Sequence, residues 1–102
     1  MKAIGYARVS TTKQDLARQQ VKIKDFCENN GHDLLQIIED FGISGASNQR
    51  DGYKKLLSLT DKDCNVVIVS ELSRLSRQEY VIETVYNIQN IINSGISVIL
   101  LD

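Results

Sequence analysis

The sequence predicts an α/β fold: a single open, mostly parallel sheet of about four strands with helices on both faces. Short, nearly unbroken apolar segments recur at 2–9, 33–39, 66–71 and 96–101. Segments of helical periodicity lie between them, at 12–29, around 53–60 and at 77–94. Strand and helix therefore alternate strictly, as β-α-β-α-β-α-β. Unbroken apolar strands belong to sheets covered on both faces, and strict alternation belongs to crossovers that join parallel neighbours.

The first strand, KAIGYARV, sets Ala3, Gly5 and Ala7 on one face and Ile4, Tyr6 and Arg8 on the other. Small residues on one face let a helix approach closely, which suits an interior strand. The first helix is expected over 12–29, capped by Ser10 or Thr11 and stopped at Asn29-Asn30-Gly31. Leu16, Ile23, Phe26 and Cys27 form its apolar stripe, and Gln19 falls inside that stripe. An amide that faces a sheet must find hydrogen-bond partners there. A bond to a strand end and a role beside Ser10 both answer that need. DLLQIIE is the second strand, and Tyr53, Leu56, Leu57 and Thr60 mark a short helix before VVIVSE, the third. Ser76 and Glu79 form a capping box that would start the last helix near Arg77. That helix ends at Gly95, and ISVILL is the last strand.

A chain of 102 residues is one domain, able to bury roughly 65% of its unfolded surface. The formal net charge of −1 supplies no overall basic field. A nucleic-acid partner would then need locally placed positive charge or a basic segment outside this chain. Met1-Lys2 runs straight into a strand pattern, and no apolar run has the length to cross a bilayer. A cytoplasmic protein without a membrane partner is expected. Cys27 and Cys64 lack CxxC or metal spacing and are expected to be reduced thiols.

In open parallel sheets, sites gather beyond the carboxyl ends of the strands. Arg8, Ser10, the 40–52 loop, Glu71 to Arg77 and Asp102 all follow strands and are expected at one edge. His32 and Cys64 precede strands, so the sole histidine is expected as a solvent-facing turn residue at the opposite edge. Arg74 and Arg77 stand at the start of a helix, where cations oppose the helix dipole. Together with free backbone N–H groups they fit an anion, phosphate above all, with pairing to Glu71 or Glu79 as the alternative. The loop DFGISGASNQRDGY has the glycine content of functional, mobile loops and carries Arg50 near its end. One rim would thus collect Arg8, Arg50, Arg74 and Arg77 around Ser10. Arg8, Arg74 and Arg77 are expected to be partly exposed there.

Serine is a weak nucleophile without activation, and no Ser-His-Asp triad can be assembled at this rim. Several arginines would instead neutralise and align a phosphodiester, a role worth about 10³–10⁵ in rate for one well-placed arginine. Arginine would hold the phosphate and Ser10 would attack it. The other reading is a non-catalytic or phosphate-binding regulatory module with a receiver-like or flavodoxin-like sheet. A receiver would need acids where this chain has Val9-Ser10, and GxxxxGK[ST], GxGxxG and Cys-x₅-Arg are all missing.

YARVST, QDLARQQ, SGASNQRDGY and SRLSR together closely resemble the catalytic domain of serine recombinases, the resolvases, invertases and large serine integrases. The resemblance runs over essentially the whole chain. It implies that Ser10 attacks a DNA phosphodiester, forming a 5′-phosphoserine link and releasing a 3′-hydroxyl, with no metal or other cofactor. It implies that Arg8 and Gln19 lie around the scissile phosphate. Ser44 and Arg50 match the serine and arginine of the family's mobile-loop motif, and Arg74 and Arg77 match its paired arginines. Resolvases carry an aspartate, a candidate proton donor to the leaving oxygen, where this chain has Ser73, which leaves the general acid open, with an arginine as one candidate. The family continues into a long dimerisation helix and a DNA-binding region, and its members act as dimers that pair into tetramers. Residues 1–102 are accordingly expected to be a catalytic domain truncated before those parts, binding DNA weakly and recombining nothing alone.

Overall fold

The structure, a computed structural model, describes residues 1–9, 13–41, 51–70 and 81–101. Its elements are β1 (Lys2–Val9), α1 (Lys13–Asn29), β2 (Asp33–Phe41), α2 (Asp51–Leu57), β3 (Val66–Val69), α3 (Val81–Asn93) and β4 (Ser97–Leu100). The four strands form one sheet in the order β2-β1-β3-β4. Every pairing is parallel, so the mostly parallel sheet expected is fully parallel. The segments expected as caps of α1 and α3 lie outside the described residues.

β1 is interior, as its small-residue face predicts. A Cβ added to Gly5 would lie 2.9 Å from Ile23 Cγ2 and 3.2 Å from Ile37 Cγ1, so α1 packs where glycine leaves room. Ala3, Ile23, Cys27, Val66 and Ile68 form the core on that face, with Phe26, Leu34 and Ile37 against it. On the opposite face Ile4, Tyr6, Val67 and Val69 meet Leu56 and Leu59 from the α2 region and Ile91 from α3. Burying a side chain such as Ile23 or Leu56 contributes about 1.5–3 kcal/mol. The two cores make this a doubly wound sheet.

β2 runs two residues beyond the expected 33–39 and contains an irregularity. Ala3 pairs with Leu34, but Ile4 pairs with Gln36, which leaves Leu35 over. Two apolar doublets, Leu34-Leu35 and Ile37-Ile38, cannot both alternate in one regular strand. The extra residue resets the parity, as bulges do. Leu34 and Ile37 both reach the α1 core, Ile38 reaches the α2–α3 core, and Leu35 is about half exposed. Asp40, two residues past Ile38, thereby faces the same side as Tyr6.

α1 ends at Asn29, two residues before Gly31, whose φ is 70°. The Asn30 N–H donates to the Phe26 carbonyl at 3.1 Å and the His32 N–H to the Cys27 carbonyl at 2.9 Å, the pattern of a glycine-terminated helix. His32 precedes β2 at the edge opposite Arg8, as expected, but it does not face solvent freely. Its ring is half-buried and stacks on Phe26, with centroids 5.8 Å apart and planes 21° apart. The helix stop folds the histidine back over the last turn.

Candidate functional site

The connection through α1 leaves β1 toward β2, while the one through α3 leaves β3 toward β4. The carboxyl ends of β1 and β3 are therefore the switch point of the sheet, where crevices open in such folds. The β1–β3 ladder ends at Tyr6 and Val69. Arg8 lies two residues beyond it, with a backbone N–H and carbonyl that still need partners.

Gln19 supplies them. Its Oε1 accepts from the Arg8 N–H at 3.2 Å, and its Nε2 donates to the Arg8 carbonyl at 3.0 Å. Oε1 also accepts from the Ser70 hydroxyl at 3.3 Å, just past the end of β3. Nε2 also donates to Asp15 Oδ2 at 3.2 Å, one turn earlier on α1. Two acceptor and two donor bonds satisfy the amide completely, and Gln19 is 0% exposed. Of the two uses open to it in the sequence, the strand-end bond is observed, while the role beside Ser10 involves a residue outside the described ones. Asp15 is held in turn by Arg18, whose Nη2 lies 2.8 Å from Asp15 Oδ1. An acid in the first turn of α1 also suits the helix dipole.

Arg8 is buried, at 8% exposure, rather than partly exposed as expected. It shares its face of β1 with Tyr6, on the α2 side of the sheet.

Asp40 is the functional candidate that sequence reasoning missed. It is 3% exposed and accepts from the Tyr6 hydroxyl at 2.6 Å. It also accepts from the Gly52 N–H at 2.8 Å and the Tyr53 N–H at 3.0 Å. A carboxyl from the end of β2 thus caps the first turn of α2. A Cβ on Gly52 would stand 2.7 Å from Asp40 Oδ1, so only glycine fits. The available signal was an acid ending an apolar strand, with a glycine shortly after the following loop.

Ser10, Ser44, Arg50, Ser73, Arg74 and Arg77 lie outside the described residues. Their positions in the sequence set which elements they adjoin. Ser10 follows β1, Arg50 directly precedes α2, and residues 73–77 lie between Ser70 and α3. Cys27 and Cys64 are buried free thiols. Burial pushes both above the ordinary thiol value, and the neighbouring Asp63 adds to the rise at Cys64. Among the described residues no cluster of His, Cys, Asp or Glu could hold a metal ion, and no helix is long and apolar enough to cross a membrane.

A doubly wound parallel sheet with a buried arginine and a saturated glutamine at its switch point defines an α/β domain of the class whose sites gather at that rim. Residues 3–102 match the family model described as the resolvase N-terminal domain, and the chain belongs to this family, the catalytic domain of serine recombinases. It is 32% identical over 77 residues to the Transposon Tn1546 resolvase of Enterococcus faecium, covering 76% of this chain and 36% of that protein. This chain therefore spans little more than a third of that relative. Among solved structures it is similar to the N-terminal catalytic domain of TP901-1 integrase, at 30% identity and a TM-score of 0.87, covering 99% of this chain and 78% of the other. It is also similar to the C-terminal catalytic domain of ISC1926 TnpA, an IS607-like serine recombinase, at 27% identity and a TM-score of 0.86, covering 100% and 68%. Family membership sets the chain apart from the receiver-like regulatory module, with which it shares only the outline of a sheet.

Proposed function

We propose that this chain is the DNA-cleaving domain of a site-specific recombinase, with Ser10 as the nucleophile. The observation that carries the reading is the Gln19 clamp. One buried amide holds together the ends of β1 and β3, and the segments bearing Ser10 and the Arg74–Arg77 pair leave from those two ends. Strand ends fixed side by side give a hydroxyl and guanidinium groups a common origin.

In the proposed step the Ser10 hydroxyl attacks the phosphorus of a DNA phosphodiester and gives up its proton. The bond from phosphorus to the 3′ oxygen breaks, that oxygen takes up a proton, and a 5′-phosphoserine link remains. Attack by a 3′-hydroxyl on that link restores a diester and frees the serine, so religation needs neither a cofactor nor a metal. Arg8, Arg74 and Arg77 would counter the charge on the phosphate oxygens. Ser44 and Arg50 would contact the backbone of the DNA, and Gln19 would support Arg8. With Ser73 in place of the usual aspartate, an arginine is the candidate proton donor to the leaving oxygen. DNA selectivity and assembly into dimers and tetramers would come from regions beyond residues 1–102, in a cytoplasmic protein.

The test uses the full-length protein and a DNA half-site. The expected product is a protein–DNA adduct that survives denaturation and is lost in Ser10→Ala. An adduct that persists in Ser10→Ala, or none from the parent, removes the proposal.

A further inference from the structure

We infer that Ser70 is a positioning residue for the proposed cleavage: its buried hydroxyl, through the Gln19 amide, ties the end of β3 to the end of β1 and so sets the point from which the segment bearing Arg74 departs. The inference rests on the recombinase reading above and takes it further, from the amide to the side chain through which that amide reaches β3.

The ladders that join β3 to β1 and to β4 both end at Val69, where the Leu101 N–H still donates to the Val69 carbonyl at 2.9 Å. Ser70 lies past these pairings, yet it is 0% exposed. Val66 and Ile68 belong to the core beneath α1, and strand alternation places Ser70 on the same side. An apolar side chain would suit that position better than a hydroxyl, whose burial is tolerated only with a partner. The partner is Gln19 Oε1, at 3.3 Å.

Gln19 is fixed to β1 without Ser70. It bonds the Arg8 N–H and carbonyl at 3.2 and 3.0 Å, and Asp15 at 3.2 Å. A carbonyl oxygen that keeps one of its two donors is still satisfied, so loss of the Ser70 hydroxyl leaves the amide in place. What the hydroxyl adds is a tie from that assembly to the end of β3. Arg8 stands at one end of the tie, and Arg74 lies four residues beyond Ser70 at the other. A change in the separation of the two ends alters the spacing of two cations around one phosphate. Misplacing a catalytic cation slows the chemical step, while DNA affinity, spread over many phosphate contacts, stays nearly constant.

The experiment compares the full-length parent with Ser70→Ala, Ser70→Thr and Ser70→Val. Threonine and valine share a shape, so that pair separates the hydroxyl from the added methyl. One measurement is the rate of adduct formation at saturating half-site, alongside half-site affinity. The other is amide hydrogen exchange at Arg8, with Ile4 and Val67 inside the strands as references. Ser70→Ala is expected to form the adduct about 5- to 30-fold more slowly, the scale of one neutral hydrogen bond, with affinity within about twofold. Its Arg8 amide should exchange about 3- to 10-fold faster as the strand ends part more often, with Ile4 and Val67 unchanged. Ser70→Thr should form the adduct at least about fivefold faster than Ser70→Val.

Adduct formation by Ser70→Ala at the parental rate overturns the inference, and so do equal rates in Ser70→Thr and Ser70→Val. A loss of protection shared by Ile4 and Val67, with activity falling only as the folded fraction falls, overturns it as well, because the serine would then act on folding alone. Should the added methyl keep the threonine and valine variants from folding, Ser70→Ala decides by its rate, affinity and exchange. A parent that forms no adduct defeats the recombinase reading and the role in cleavage with it. Exchange at Arg8 in Ser70→Ala then still decides whether the hydroxyl ties β3 to β1.

Discussion

Gln19 completes the sheet at Arg8: its side-chain amide accepts from the Arg8 N–H at 3.2 Å and donates to the Arg8 carbonyl at 3.0 Å. β3 has ended by this point, so a helix side chain does the work of a neighbouring strand. The same amide takes the Ser70 hydroxyl. One amide thus joins the end of β1 to the residue that follows β3.

Gln19→Leu is expected to lower unfolding free energy by about 2–4 kcal/mol, because it strands the Arg8 backbone groups and the Ser70 hydroxyl in the interior. Gln19→Glu keeps the size but has no donor for the Arg8 carbonyl, and it sets a second carboxyl beside Asp15. Urea unfolding at neutral pH measures both. A loss below about 0.5 kcal/mol in Gln19→Leu, the scale of an ordinary surface change, would show that water replaces the amide.

How much of this was legible in the sequence depends on how local the cause is. Strand and helix periods, the small face of β1 and the glutamine within an apolar stripe are local patterns, and each appears where expected. The bulge in β2 was foreshadowed by its paired apolar doublets, yet its consequence for Asp40 depends on register with β1. The Asp40 cap joins residues 12 and 34 positions apart, and no periodicity links an acid to backbone N–H groups across a loop. His32 shows the same limit, since its stacking follows from the geometry of the turn. Arg8 is expected to be partly exposed from its place at the sheet edge, yet it is buried. Its burial goes with its place on an interior strand, on the face it shares with Tyr6.

Gly5→Ala and Gly52→Ala are both expected to destabilise by about 1–3 kcal/mol, the usual cost of overpacking. The new methyl would meet Ile23 at 2.9 Å in one case and Asp40 at 2.7 Å in the other. The second should also loosen the α2 cap, which the first leaves intact. Thermal unfolding gives the stability, and exchange at the Tyr53 amide separates the two variants.

Arg8→Lys keeps a charge but loses the planar fork that grips a phosphate at two points. Adduct formation is expected to fall by about 10³-fold or more if Arg8 contacts the scissile phosphate. A chelator added to the parent should leave the rate unchanged. Single-turnover cleavage of a half-site measures both, and near-parental activity in Arg8→Lys would reduce Arg8 to a structural cation.

The buried thiols give a pH dependence with a definite sign. Burial raises the Cys27 and Cys64 values in the folded chain above the ordinary thiol value. At neutral pH both states hold the proton, and the neutral thiols stabilise the fold in full. As pH rises past the ordinary value, near about 8.5, the unfolded chain releases its thiol protons first. Stability from these groups then declines until the folded thiols also ionise. The parent should therefore lose more stability between about pH 8.5 and 10 than the Cys27→Ala/Cys64→Ala double variant, measured by urea unfolding at each pH. Since the thiolate is the reactive form, the folded thiols should also react with a disulfide reagent at least about tenfold more slowly than in urea. Identical pH profiles for the two proteins would mean that neither thiol is held in its neutral form by the core.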